Sequence, residues 1–199
     1  MKRFSRPAPS KRLKRKIFVA AEGEVTEREY VQILRDMGCD ELHFVQPRRG
    51  KSSPGHVLLR MQEALKKDPL LLKEDGAWLL VDRDAWEESH MERLFTWEKQ
   101  DPRHHVVISN PCIELWLLLH FEDGAGATNA EICQARLKKV LPDYKDKHLS
   151  ACALTKEMIR SAAARAERLC KGKSWKDPGF TSFHRFIQAL DIFSSSGRG

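Results

Sequence analysis

Acidic side chains follow two apolar runs of this sequence, at the point where each run ends. Glu22 comes directly after residues 17–21, and Asp82 and Asp84 come directly after residues 77–81. Short apolar runs of this kind are typical of buried parallel strands. Because the carboxyl ends of parallel strands lie at one edge of a sheet, we expect these carboxylates to converge there.

Several carboxylates brought together repel one another, and a hard divalent cation such as Mg²⁺ relieves the repulsion. In the Asp82-x-Asp84 spacing both carboxylates can point to one side while Arg83 points to the other. A Mg²⁺ or Mn²⁺ ion at such a site suits phosphodiester hydrolysis, because it activates water and stabilises charge on phosphate. Glu22 is a candidate metal ligand or a general acid/base, and the sequence leaves both open. The competing interpretation is that Asp82 or Asp84 merely caps the next helix.

A further acidic residue, Glu114, interrupts the apolar segment 113–121, which we expect to be a helix buried on most faces. A buried glutamate is costly unless it is paired or bound to a metal. Glu114 is therefore either a further metal ligand or the partner of a basic residue. Asn110 is expected to cap this helix, with Pro111 at its first position.

His184 and Arg185 lie in the last helical segment, 182–193, next to the apolar stripe that holds Phe183 and Phe186. One interpretation is that His184 or Arg185 reaches the scissile phosphate, which makes His184 a candidate catalytic residue and Arg185 a candidate nucleic-acid contact. The alternative is a histidine that packs at a helix interface.

The positive charge is concentrated at the amino terminus. The formal charge of the whole chain is +7, whereas residues 1–16 alone carry eight basic and no acidic side chains, so the remainder is close to neutral. We expect residues 1–15 to form a disordered basic arm that contacts nucleic-acid phosphates without sequence preference, although a solubilising leader is the alternative. A second basic segment lies in the loop 47–55. The candidate contacts in these two segments are Lys11, Arg12, Lys14, Arg15, Arg48, Arg49 and Lys51.

The order of the predicted elements indicates an α/β fold with a mostly parallel sheet and helices on both faces. Thr26 and Glu29 have the spacing of a capping box, which predicts that Thr26 is the N-cap of a helix. After the flexible loop 122–127 the chain is expected to be helical throughout. We therefore expect an α/β core over residues 16–122, a helical extension packed on it over 123–193, and a disordered tail over 194–199.

Five widely spaced cysteines, without a C-x-x-C pair, predict reduced and mostly buried thiols rather than a disulfide framework or a zinc ribbon. The sequence has no apolar run of membrane-spanning length and no signal-peptide pattern, so we expect a cytoplasmic protein that does not enter a membrane.

Glu22-Gly23 after one strand and Asp82-x-Asp84 after another resemble the Toprim domain, an α/β module of topoisomerases, primases and several nucleases. The resemblance implies that this glutamate and these two aspartates form a Mg²⁺-dependent site. A topoisomerase also needs a nucleophilic tyrosine in a further domain, which argues against that activity here.

Three longer motifs narrow the resemblance to the RloB-like family of Toprim-related proteins. They are AEGEVTEREY at 21–30, SNPCIELWLLLHF at 109–121 and DPGFTSFHR at 177–185. The resemblance implies a prokaryotic anti-phage defence role, a metal-dependent nuclease activity on DNA or RNA, and a possible ATPase partner. The alternative is a non-catalytic nucleic-acid-binding or regulatory subunit that works with that ATPase. A third interpretation is a phosphohydrolase or nucleotidyl transferase that uses the same metal site on small molecules. The basic arm argues against it, because small substrates do not require such an arm.

Overall fold

The structure is a computed structural model of the 199-residue chain, and it describes residues 14–39, 41–47, 54–83, 86–149 and 154–190. These residues form five strands and seven helices. In chain order they are β1 (Ile17–Ala21), α1 (Thr26–Asp36), β2 (Leu42–Phe44), α2 (Pro54–Lys67), β3 (Gly76–Asp82), α3 (Glu88–Glu98), β4 (His104–Asn110), α4 (Ile113–Leu118), α5 (Ala130–Val140), α6 (Lys156–Leu169), β5 (Phe180–Thr181) and α7 (Phe183–Ala189).

The strands form one open sheet in the order β2-β1-β3-β4-β5, in which β1 to β4 are parallel and β5 is antiparallel. The expected mixed α/β fold with a mostly parallel sheet and a largely helical carboxyl-terminal portion is confirmed. One detail was wrong, because the carboxyl-terminal portion also supplies β5. This strand has only two residues, too few for an alternating or apolar pattern to reveal it in the sequence.

Side chains alternate between the two faces of the sheet and so build two cores. Ile17, Val19 and Ala21 of β1 lie in the core shared with α1 and α4 to α7, whereas Phe18 and Ala20 lie in the core shared with α2 and α3. Both faces of the central strands are therefore covered by helices, which explains why these strands are apolar at consecutive positions.

Thr26 and Glu29 have the spacing of a capping box, but they do not cap α1. The residue before α1 is Val25, and no side chain caps the helix. The Thr26 hydroxyl instead donates to the carbonyl oxygen of Lys147, and the Glu29 carboxylate accepts from the Leu149 amide. The capping-box prediction was wrong because both side chains bind a distant loop rather than their own helix.

Asn110 was also wrongly predicted to be a cap. It is the last residue of β4, and its side-chain amide donates to the carbonyl oxygen of Trp175 at 3.1 Å. The peptide bond between Asn110 and Pro111 is cis, and α4 starts at Ile113, so Pro111 is not its first residue.

Aromatic side chains from the motifs at 21–30, 109–121 and 177–185 pack together in the core. Tyr30 packs edge-on against Trp116 and Phe183, and its hydroxyl lies 3.1 Å from Nε2 of the buried His120. Burial lowers the pKa of His120 to about 4, so this imidazole is neutral near pH 7. No helix in the described part of the chain is long and apolar enough to cross a membrane.

Candidate functional site

The carboxyl ends of β1 and β3 lie side by side, as their sequences predict. Ala21 pairs with Leu80 in parallel register, and the Glu22 amide donates to the Leu80 carbonyl at 3.0 Å. Glu22 therefore lies beside the end of β3, where Asp82 is the last strand residue. The convergence of these two carboxylates follows directly from the strand register.

A cavity of about 400 Å³ opens at this edge of the sheet. Five of the residues that line it are acidic, and one is basic. The lining consists of Glu22, Gly23, Glu24, Val25, Thr26, Glu27, Asp82, Ile113, Glu114 and Lys147.

Glu27 is a part of this cavity that the sequence analysis missed. It lies in the first turn of α1, is 5% exposed, and its Oε1 accepts a hydrogen bond from the Gly23 amide at 3.0 Å. A Cβ atom on residue 23 would lie only 2.1 Å from Oε2 of Glu27, so glycine is what lets this carboxylate approach the backbone. Burial raises the pKa of Glu27, and the nearby Glu114 raises it further.

The pKa of Asp82 is strongly affected by its position in this cavity. Burial is the main cause that raises its pKa well above the usual range, and repulsion from Glu27, Glu114 and Glu22 adds to the shift. Lys147 acts in the opposite direction. Asp82 does not cap the following helix, because α3 starts at Glu88 and has no side-chain cap.

Glu114 lies in the cavity rather than in an ion pair. It is 5% exposed, and Oε1 accepts a hydrogen bond from the Tyr144 hydroxyl at 3.2 Å. Within the described part of the chain, no ion pair joins its carboxylate to a basic side chain. Of the two alternatives for Glu114, its position favours the one that groups it with the other carboxylates.

Trp86 orients Glu22 from the segment that follows β3. Its indole Nε1 donates to Oε1 of Glu22 at 2.9 Å, and the Trp86 carbonyl in turn accepts from the Arg83 guanidinium. An indole N–H donated to a carboxylate oxygen fixes the orientation of that carboxylate. Asp84 falls outside the described residues, so its predicted role stays a prediction.

The structure does not bring His184 into this cavity. His184 and Arg185 line a second cavity of about 630 Å³, together with Arg168, Cys170 and Lys171. Burial lowers the pKa of His184, and Arg185 lies 3.7 Å from Glu98 in an ion pair. A role for either residue at the scissile phosphate stays a prediction, and the carboxylate cavity as described is lined without them.

Most of the predicted nucleic-acid contacts lie outside the described residues, namely Lys11, Arg12, Arg48, Arg49 and Lys51. Lys14 and Arg15 are described. The Arg15 guanidinium donates to the carbonyl oxygen of Ala189 at 2.5 Å, so this side chain contacts the end of α7.

The donor chemistry of the cavity fits an oxygen-preferring divalent cation. The five acidic residues in its lining offer carboxylate oxygens, which such a cation prefers as ligands. A bound cation would also relieve the repulsion between these carboxylates. As the side chains are placed, no three His, Cys, Asp or Glu residues among those described form a group that could hold a metal ion. The fit is therefore one of charge and donor type, and the carboxylates must reorient to bind an ion together.

The signals for the missed residues were weak or long-range. Glu27 follows Glu22 by five positions and lies between Thr26 and Glu29, whose capping-box spacing is the stronger local pattern. Lys147 is about 120 residues away from Glu22 and Glu27 along the chain, and no local pattern links them.

A family model described as RloB-like protein matches residues 17–190 of the chain. No curated protein and no solved structure matches the chain significantly.

Proposed function

The chain belongs to the RloB-like family, and on that premise we propose that it is a divalent-metal-dependent nuclease that hydrolyses phosphodiester bonds in DNA or RNA during anti-phage defence. The observation that carries this proposal is the cavity at the carboxyl ends of β1 and β3, where Glu22, Glu27, Asp82 and Glu114 meet. Open α/β sheets place their chemistry at this edge.

Glu22 and Asp82 would hold a Mg²⁺ or Mn²⁺ ion, with Asp84 and Glu114 as further ligands. When bound, the ion supplies an activated water molecule and neutralises charge on the phosphate. The indole of Trp86 keeps Glu22 in place through its hydrogen bond to Oε1.

Glu27 is suited to handle a proton rather than to bind the ion. Its Oε1 is held by the Gly23 amide, and burial raises its pKa, so this carboxylate takes up a proton more readily than an ordinary glutamate. We assign it the role of general acid/base for the attacking water or the leaving oxygen.

The second candidate is a non-catalytic nucleic-acid-binding or regulatory subunit that works with an ATPase partner. It is favoured by one observation, namely that no three potential ligands among the described residues are placed as a metal-binding group. In both cases we place the protein in the cytoplasm, which agrees with the reduced thiols of Cys112, Cys133 and Cys170.

A metal-titrated cleavage assay on plasmid, single-stranded DNA and RNA tests the nuclease proposal. We expect cleavage by the wild type with Mg²⁺ or Mn²⁺, and its loss in Glu22→Gln and Asp82→Asn while both variants stay folded. Glu131→Gln is the matched control, because Glu131 is an exposed residue of α5 that does not line the cavity. If the wild type cleaves none of these substrates with either ion, the regulatory candidate is the better one. If Glu22→Gln no longer folds, Glu22 has a structural role.

A further inference from the structure

A tight turn places one basic side chain at the carboxylate cavity. Asp146 and Lys147 both have positive φ angles, 50° and 66°, and they are the two non-glycine residues with this property among those described. The His148 amide donates to the Lys145 carbonyl at 2.9 Å, and these two residues form an antiparallel bridge. Two central residues with positive φ characterise the type I′ turn, which favours Asn-Gly.

Lys147 thus occupies the position where such a turn favours glycine. A side chain in the left-handed region costs free energy, and residues of this kind persist where the surrounding structure holds them, often at functional sites. An ordinary surface turn would be more stable with glycine at this position, so the lysine needs another explanation.

The first turn of α1 holds this turn in place. The Thr26 hydroxyl donates to the carbonyl oxygen of Lys147 at 2.7 Å, and it also lies 3.0 Å from the Tyr144 hydroxyl. On the far side of the turn, the Glu29 carboxylate contacts Nδ1 of His148 at 2.8 Å. The backbone of Lys147 is therefore fixed relative to the cavity by the helix that also carries Glu27.

The side chain of Lys147 combines exposure with proximity to the carboxylates. It lines the cavity, is itself exposed to solvent, and lowers the pKa of Glu27 and of Asp82. It is the one basic residue in the described lining of the cavity. A phosphodiester that approaches this cavity is repelled by the carboxylates, and Lys147 offers an accessible positive charge at the same place.

We propose that Lys147 binds a phosphate of the nucleic-acid substrate at the carboxylate cavity, and that the strained turn serves to hold it there. This inference rests on the proposed function, since it names a substrate-binding residue of the same site. The competing role, a counter-ion that only neutralises the carboxylates, does not require contact with the substrate.

The test compares Lys147→Gly with Asp146→Gly. Both substitutions relieve a left-handed non-glycine residue in the same turn, but only Lys147→Gly removes the ammonium group, so Asp146→Gly is the matched control. Lys147→Asn provides a second neutral residue that tolerates the left-handed region, and Lys147→Arg restores the charge.

The readouts are the midpoint of urea unfolding, the affinity for a labelled single-stranded oligonucleotide, and the affinity for Mn²⁺ followed by tryptophan fluorescence. We expect both glycine variants to unfold at higher urea concentration. Oligonucleotide affinity should fall about tenfold in Lys147→Gly and Lys147→Asn, as for the loss of one hydrogen bond to a charged group. It should be retained in Asp146→Gly and largely restored in Lys147→Arg. Mn²⁺ affinity of the Lys147→Gly variant should not decrease, because a repelling charge has been removed.

Two results would overturn the proposal. Unchanged oligonucleotide affinity in Lys147→Gly, with tighter Mn²⁺ binding, would leave Lys147 as a counter-ion alone. An equal loss of affinity in Lys147→Gly and Asp146→Gly would assign the effect to the turn instead of the ammonium. None of these readouts requires cleavage, so a wild type that binds oligonucleotide through Lys147 without cutting it would refute the nuclease proposal and leave this one standing.

Discussion

Replacing Gly23 with alanine tests whether the carboxylate of Glu27 depends on a glycine at the end of β1. The new Cβ would lie 2.1 Å from Oε2 and 2.5 Å from Oε1 of Glu27, well inside the distance that such atoms tolerate. Glu27 must then move, and the hydrogen bond from the Gly23 amide is lost. The substitution therefore acts on the cavity through a single identified contact.

The magnitude follows from three opposing effects. A hydrogen bond to a charged group contributes about 1.5–3 kcal/mol, and this contribution disappears. Against it, alanine lowers the entropy of the unfolded chain, which stabilises by about 0.4–1 kcal/mol where the backbone conformation is compatible. Repulsion from Glu114 raises the pKa of Glu27 in the native protein. Moving Glu27 away from Glu114 relieves some of this repulsion. We expect a net destabilisation of about 1–2 kcal/mol, or a melting temperature lower by about 2–8 °C for a chain of this size.

The assay is a double-mutant cycle in metal-free buffer at pH 7, measured by urea and thermal unfolding. Gly23→Ala is introduced into the wild type and into Glu27→Ala, which lacks the carboxylate that the new Cβ would meet. In the second background the substitution should be neutral or slightly stabilising. An equal cost in both backgrounds would refute the reasoning, because it would show that the backbone at Gly23, and not Glu27, resists a side chain.

Two further predictions concern pH and the basic arm. The folded-state pKa of Asp82 is raised above its ordinary value, so the native state binds the proton more tightly than the unfolded state does. The metal-free protein should therefore lose stability as pH rises from about 4 toward the folded-state pKa. Unfolding at a series of pH values should show a flatter dependence of stability on pH for Asp82→Asn than for the wild type, and an identical dependence would contradict the prediction. Deleting residues 2–13 removes five basic side chains and keeps the contact of Arg15 with Ala189. Nucleic-acid affinity should fall, and the slope of log K against log salt concentration should flatten by up to about 4. An unchanged slope would exclude the arm as a phosphate contact.

The central strands were predictable because each contains a run of consecutive apolar residues. The middle positions of β1, β3 and β4 are buried, so most of them are apolar, and the pattern is visible without knowledge of the neighbours. The helices were located through their apolar stripes. The segment 113–121 was expected to be helical throughout, whereas α4 stops at Leu118, and the helix expected over 182–193 is described only as the shorter α7, Phe183–Ala189.

Only part of the candidate site was predictable, and the division follows sequence distance. Glu22 and Asp82 were placed together correctly, because each ends a strand and parallel strands share an edge. Glu27 and Lys147 depend on contacts between α1 and a loop 120 residues away, and such contacts leave no periodic pattern in the sequence. The same contacts explain why Thr26 resembles a helix cap without being one.

The position where the chain enters the sheet has a consequence for the size of the nucleic acid that we propose as substrate. The Lys16 carbonyl accepts from the Gly76 amide at the start of β3, whereas Asp82 and the cavity lie at the other end of that strand. Seven residues of strand span roughly 23 Å, which corresponds to about seven base pairs of duplex at 3.4 Å each. The basic segment thus leaves the sheet at the edge opposite the carboxylates. Unless the segment folds back along the protein, a nucleic acid that touches both has a footprint of at least this length.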